Sequence, residues 1–124
     1  MPLHWIVDSK ERLVTATAEG DVTRAEVESY LAAMSGAGAI PYRKLFDGSR
    51  GETRMTSQDM LALGAQIRAL HGAGGTPGPL AMVIPSGKAE LVSRVLGILA
   101  TADRPMRIFA EPEPARRWIE SLPK

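Results

Sequence analysis

"LFDGSRGETRMTSQDML", residues 45–61, passes from one kind of structure to another. Leu45 and Phe46 close an apolar run and Asp47 ends it. A polar connection with Ser49, Arg50, Glu52, Thr53 and Arg54 follows. Beyond it, Met60, Leu63, Ile67 and Leu70 recur at helical spacing. Thr56 or Ser57 stands where a helix N-cap belongs. A strand that leads through a short connection into a helix is half of a βα unit, so the stretch points to an α/β chain.

The flanks agree. "YRKLFD" (42–47) is the strand that enters the connection. Ahead of it, "TRAE" (23–26) forms a capping box, with Thr23 as N-cap and Glu26 three residues on. The helix it opens carries Val27, Tyr30, Leu31 and Met34 on one face, and Gly36 or Gly38 in "SGAGAIP" ends it. "LHWIVD" (3–8) and the alternating "RLVTATAEG" (12–20) are close enough to form an antiparallel hairpin. Downstream, "LAMVIP" (80–85) is a continuous apolar run, which suits a buried parallel strand. The helix "SGKAELVSRVLGILATA" (86–102) follows, with Leu91, Val92, Val95, Leu96, Ile98 and Leu99 making a wide apolar surface. "PMRIFA" (105–110) is a fifth strand. "EPEPARRWIESL" (111–122) is a last helix, burying Ala115, Trp118, Ile119 and Leu122. The order β-β-α-β-α-β-α-β-α predicts one α/β domain over residues 1–124. Its five-stranded sheet is mixed but mostly parallel, opens with a β-hairpin and carries four helices.

Composition sets outer limits. A chain of 124 residues with 44% hydrophobic and 23% charged residues is an ordinary single domain. The net charge of +1 provides no general attraction to nucleic acid or to an anionic membrane. The absence of Cys excludes disulfides, thiolate metal sites and Cys nucleophiles. No apolar run reaches the ~18 residues of a membrane span, and "MPLHWIVDSKER" lacks the features of a signal peptide. The expectation is a cytoplasmic protein without cofactor or metal. An exposed sheet edge is compatible with a homodimer.

Several segments have patterns that bear on chemistry. "VIPSGKAEL" (83–91) has the strand–turn–helix order of a phosphate loop, but Met82 stands where the first Gly is required and Ala89 where a Ser or Thr is. It reads as a turn with Ser86 as N-cap and Lys88 solvated. "GAGGTPG" (72–78) follows a helix and precedes a strand, the reverse of a dinucleotide fingerprint, so it reads as a flexible exit loop. His4 and His71 have no ligand-spaced partner; His71 ends a helix, where a partly charged imidazole suits the dipole. Arg116 and Arg117 mark a solvated helix face; Arg104 and Arg107 lie near the fifth strand, and the sequence alone does not assemble them into a basic patch with it. The connection after Asp47 is the best site candidate, because ligands of open α/β sheets bind outside the carboxyl ends of strands. Asp47, Ser49, Arg50 and Arg54 are its ligand or partner residues, and Thr56 and Ser57 its hydroxyls at a helix start.

The chain resembles STAS-like domains of the SpoIIAA-like fold, and among them bacterial proteins of unknown function related in fold to the lipid-binding CRAL-TRIO domains. "AEGDVTRAEV", "YRKLFDGS", "TSQDMLAL" and "MRIFAEPEPARRWI" carry the resemblance through their order and spacing. It implies a non-enzymatic regulatory module that binds protein partners. In that family's anti-sigma antagonists a Ser at a helix start is phosphorylated, a role that falls here on Ser57, beside Thr56, with the strand Asp matched by Asp47. The lipid-binding side of the resemblance implies instead a small apolar ligand or lipid in an apolar cavity.

Overall fold

The structure, a computed structural model, describes residues 2–74, 77–99 and 104–124. The elements run β1 (Leu3–Asp8), β2 (Leu13–Asp21), α1 (Arg24–Gly36), β3 (Arg43–Glu52), α2 (Ser57–Gly74), β4 (Leu80–Val83), α3 (Ala89–Leu99), β5 (Met106–Phe109) and α4 (Pro112–Ser121). The five strands form one sheet in the order β1-β2-β3-β4-β5. β1 and β2 pair antiparallel, and every later pair is parallel. The expected α/β fold, its element order and its mixed sheet are therefore present.

The strand order explains the layers. Each parallel strand adds on the same side of its predecessor, and right-handed crossovers then place α1, α2 and α3 on one face of the sheet. α4 has no further strand to reach. It folds back over the other face, against β3, β4 and β5.

Strand alternation divides the core accordingly. Toward α1–α3 point Leu3 and Trp5 of β1, Val14, Ala16 and Ala18 of β2, Lys44 and Phe46 of β3, and Leu80 and Met82 of β4. Tyr30 and Met34 of α1 pack onto the first of these strands, with the Trp5 and Tyr30 rings edge to face at 5.6 Å. Toward α4 point Leu13, Leu45, Ala81 and Val83, which meet Ala115 and Ile119.

Local signals act as the sequence suggests at α1. Thr23 and Glu26 cap each other, and the second carboxylate oxygen of Glu26 accepts the Leu3 N–H at 3.1 Å, tying α1 to β1. Gly38, at φ +67, makes the left-handed turn after the helix.

Three expectations need correction. β3 does not stop at Asp47 but continues to Glu52. Its register with β2 passes from Thr17↔Asp47 to Glu19↔Arg50, so β3 carries one extra residue, a bulge at Gly48 and Ser49. The Asp47 carboxylate accepts the Ser49 N–H at 3.0 Å and holds this bulge. A Cβ at Gly48 would lie 2.8 Å from the Val83 carbonyl oxygen, so only glycine fits there. Nor does Ser86 cap α3: that helix begins at Ala89, the Lys88 carbonyl accepts the Val92 N–H, and the Lys88 ammonium reaches the Gly51 carbonyl at 3.4 Å.

Gly72 and Gly74, expected in an exit loop, belong to the end of α2, while Gly75 and Thr76 lie outside the described residues. So do the side chains of Leu96, Ile98 and Leu99 and the expected end of the third helix at residues 100–102. Among the described residues no helix is long and apolar enough to cross a membrane.

Candidate functional site

Central strands of a sheet covered on both faces normally bury their side chains fully. Phe46 and Met82 occupy such positions on β3 and β4, yet both remain half-buried. The reason is a cavity of about 210 Å³ between the sheet and α1, α2 and α3. That is far more than the ~10–15 Å³ that admits one water and less than the ~300 Å³ where drug-sized pockets begin. Its walls are almost wholly apolar: Val27 and Leu31 come from α1, Leu63 and Ile67 from α2, and Leu91 and Val95 from α3.

The cavity's two ends differ. Toward the carboxyl ends of the parallel strands the floor is made of small residues, Ala18, Gly48 and Gly51, with Met55 and Met60 beside them. A Cβ on Gly51 would meet the Ala18 side chain at 2.7 Å, so the ribbon of β2 and β3 is closely drawn together here. Glu52, at this end, is the one exposed residue among the described lining.

Toward the amino ends of the strands the lining includes Tyr30, Lys44, His71 and Arg104. Lys44 is 7% exposed, and its ammonium donates to the carbonyls of Ile40 at 2.5 Å and Tyr42 at 2.9 Å. Arg104 donates to the Gly78 carbonyl at 3.4 Å, and its Nε is buried without an acceptor among the described residues. Gly78 is itself wedged beneath residues 41–42, where a Cβ would strike both carbonyls.

Electrostatics follow from this burial. Desolvation pushes the Lys44 ammonium down to about 7, and the nearby Arg104 charge adds to the effect. Burial, then the Arg104 and Lys44 charges, hold the His71 imidazole below its ordinary value. His71 is therefore a neutral group among cations near pH 7 rather than the partly charged helix terminator expected. Burial raises the Tyr30 phenol, against the pull of Arg104, so it stays an uncharged hydroxyl. The end of the cavity thus combines the buried Lys44 and the partly buried Arg104 with two neutral groups able to hydrogen-bond.

The expected site residues lie apart from this cluster. Asp47 stands on the α4 face, in register between Thr17 and Val83, and holds the bulge. Arg50 is exposed on the β3 extension, and Arg54 pairs with Asp21 at 3.9 Å at the surface. Asp47, Ser49, Arg50 and Arg54 are absent from the described cavity lining, whereas their neighbours Gly48, Gly51, Glu52, Thr53 and Met55 are in it. Thr56 is the cap of α2: its hydroxyl accepts the Asp59 N–H at 3.2 Å, and the Asp59 carboxylate accepts the Thr56 N–H at 3.0 Å. Ser57 is the first helical residue and is exposed. Arg104 and Arg107 do not share a patch: Arg104 faces the cavity, while Arg107 stacks 5.1 Å from the Phe109 ring centroid, beside Trp118 of α4.

Lys44 was the informative residue. "RKLF" enters a central strand, and with both sheet faces covered, alternation buries Arg43 on one face and Lys44 on the other. No known protein-family profile matches the chain, and no curated protein matches it.

Proposed function

We propose that this protein is a non-enzymatic binding protein that holds a small apolar or single-chain amphiphilic molecule in the cavity above β3 and β4. The observation that carries the proposal is the cavity itself, bounded by three helices and lined almost entirely by apolar side chains. Apolar surface left open inside a domain of this size is unfavourable by roughly 25 cal/mol per Å², and an apolar guest recovers that term. The resemblance to lipid-binding folds supports the same reading. Native mass spectrometry of protein gently purified from its own cells tests it. A bound mass that leaves on mild activation is expected. An empty protein, together with an experimental structure in which side chains fill the cavity, overturns the proposal.

A second reading, a STAS-like module that binds a protein partner under control of Ser57, is supported by one placement. The Ser57 hydroxyl is exposed in the first turn of α2, where the helix dipole favours a phosphate. Phosphopeptide mapping combined with partner capture tests it. Unmodified Thr56 and Ser57 with no partner recovered retire it.

A further inference from the structure

Two basic side chains at one end of an apolar cavity, Lys44 buried and Arg104 partly so, call for a counter-charge. We infer that the cavity takes a single-chain monocarboxylate, a medium-chain fatty acid. Its carboxylate is held between Lys44 and Arg104, and its chain lies across Phe46 and Met82. The inference rests on the proposal that the cavity is a ligand site and names the chemistry of the ligand's head.

Donors are in surplus. An ammonium has three N–H groups, and the carbonyls of Ile40 and Tyr42 take two of those of Lys44. Among the described residues the buried Nε of Arg104, like that of Arg43 outside the cavity, has no acceptor, and the Arg104 contact with Gly78 is long. Ion pairs among the described residues all lie elsewhere, and none includes Lys44 or Arg104. Buried charges in proteins are normally paired. Glu52, the acid among the described lining, is at the opposite end and exposed. A carboxylate brings one negative charge and two acceptor oxygens, which match the fork of an arginine and the free proton of a lysine. Tyr30 from α1 and His71 from α2 add neutral hydrogen-bonding groups. β4 and α3 face the site with Leu80, Met82, Leu91 and Val95.

Size selects the chain. From Lys44 to Gly48 the strand advances about 13 Å, at roughly 3.3 Å per residue. An extended chain advances roughly 1.2 Å per bond, so about eleven bonds, a chain of roughly ten to twelve carbons, span that distance. A cavity of about 210 Å³ holds one such chain and excludes a diacyl phospholipid.

The test is calorimetric titration of the full chain near pH 6 with decanoate, 1-decanol, decylammonium and decyl phosphate. Decanoate is expected to bind about tenfold or more tighter than decanol, and decylammonium more weakly than decanol. Lys44→Met and Arg104→Gln are each expected to lower the ratio of decanoate to decanol affinity about tenfold, and continued decanol binding shows that the variants keep their cavity. Raising the pH to about 9 removes the Lys44 charge and weakens decanoate but not decanol. Equal binding of decanol and decanoate overturns the head-group assignment and leaves the cavity proposal standing. Preference for decyl phosphate by more than about tenfold also overturns it, in favour of a phosphate monoester. Failure of every probe to bind overturns both.

Discussion

Lys44 lies in the sheet register between Val14 and Leu80, a position built for an apolar side chain. Its neighbour Arg43 is as deeply buried, and its two terminal nitrogens find acceptors although its Nε has none among the described residues. The Arg43 guanidinium donates to the carbonyls of Ile119, Glu120 and Leu122 at the end of α4 and to Glu11 at 2.7 Å. Cations suit a helix C-terminus, so Arg43 joins α4 to the sheet. Lys44 has no such role among the described residues, and burial lowers its pKa. Its folded-state value near 7 lies below the ordinary value of 10.5, so between these values the unfolded chain binds more protons than the folded one. Stability of the ligand-free protein therefore rises with pH across that window, having been lowest at and below pH 7. We predict a gain of about 2–4 kcal/mol between pH 7 and 10 in urea denaturation, and its loss in Lys44→Met. A flat profile in the wild type would show that Lys44 is hydrated. That a strand began near Arg43 was legible in the sequence. That both charged residues were interior was not, because it depends on helices covering both faces, and α4 covers its face only after the whole sheet has formed.

At the scale of elements, residues 45–61 specify a strand and then a helix, but the polar stretch between them is a continuation of β3 through a bulge and not a loop. "DGSRGE" has the composition of a loop because a bulge has the same needs. Gly48 must approach the Val83 carbonyl, and Asp47 must turn its carboxylate back onto Ser49. No tertiary signal in the letters distinguishes the two cases; the partner segment, Glu19–Asp21, is far away in sequence. The start of α2 was more legible, since Thr56 and Asp59 have capping-box spacing. The structure separates two hydroxyls that the sequence left as alternatives. Thr56→Ala removes a cap and is expected to cost about 1 kcal/mol, whereas Ser57→Ala should lie within about 0.5 kcal/mol of wild type. Equilibrium unfolding in urea measures both. A cost at Ser57 equal to that at Thr56 would assign it a structural role and remove the basis for separating a regulatory hydroxyl from a capping one.

At the scale of the molecule, the cavity follows from topology combined with residue size. Monotonic strand order forces α1, α2 and α3 onto one face, and that face is floored toward the carboxyl ends of the strands by Ala18, Gly48 and Gly51. Helices that rest on small residues there and on Phe46 and Met82 further down cannot close against both, so a gap persists between them. The proposed ligand site has Lys44 and Arg104 at its end. A side chain that fills it should then help the fold and harm binding together. Val95 reaches the gap from α3 and is half-buried. Val95→Phe adds apolar volume where there is room, and a gain of about 1 kcal/mol corresponds to a Tm rise of roughly 3–5 °C for a domain of this length. The same variant is expected to weaken decanoate and decanol alike, about tenfold or more, because it displaces the chain and not the head. Stability and affinity moving in opposite directions would tie the open space to function. A Phe that destabilises the fold would instead show that α3 already packs tightly on the sheet.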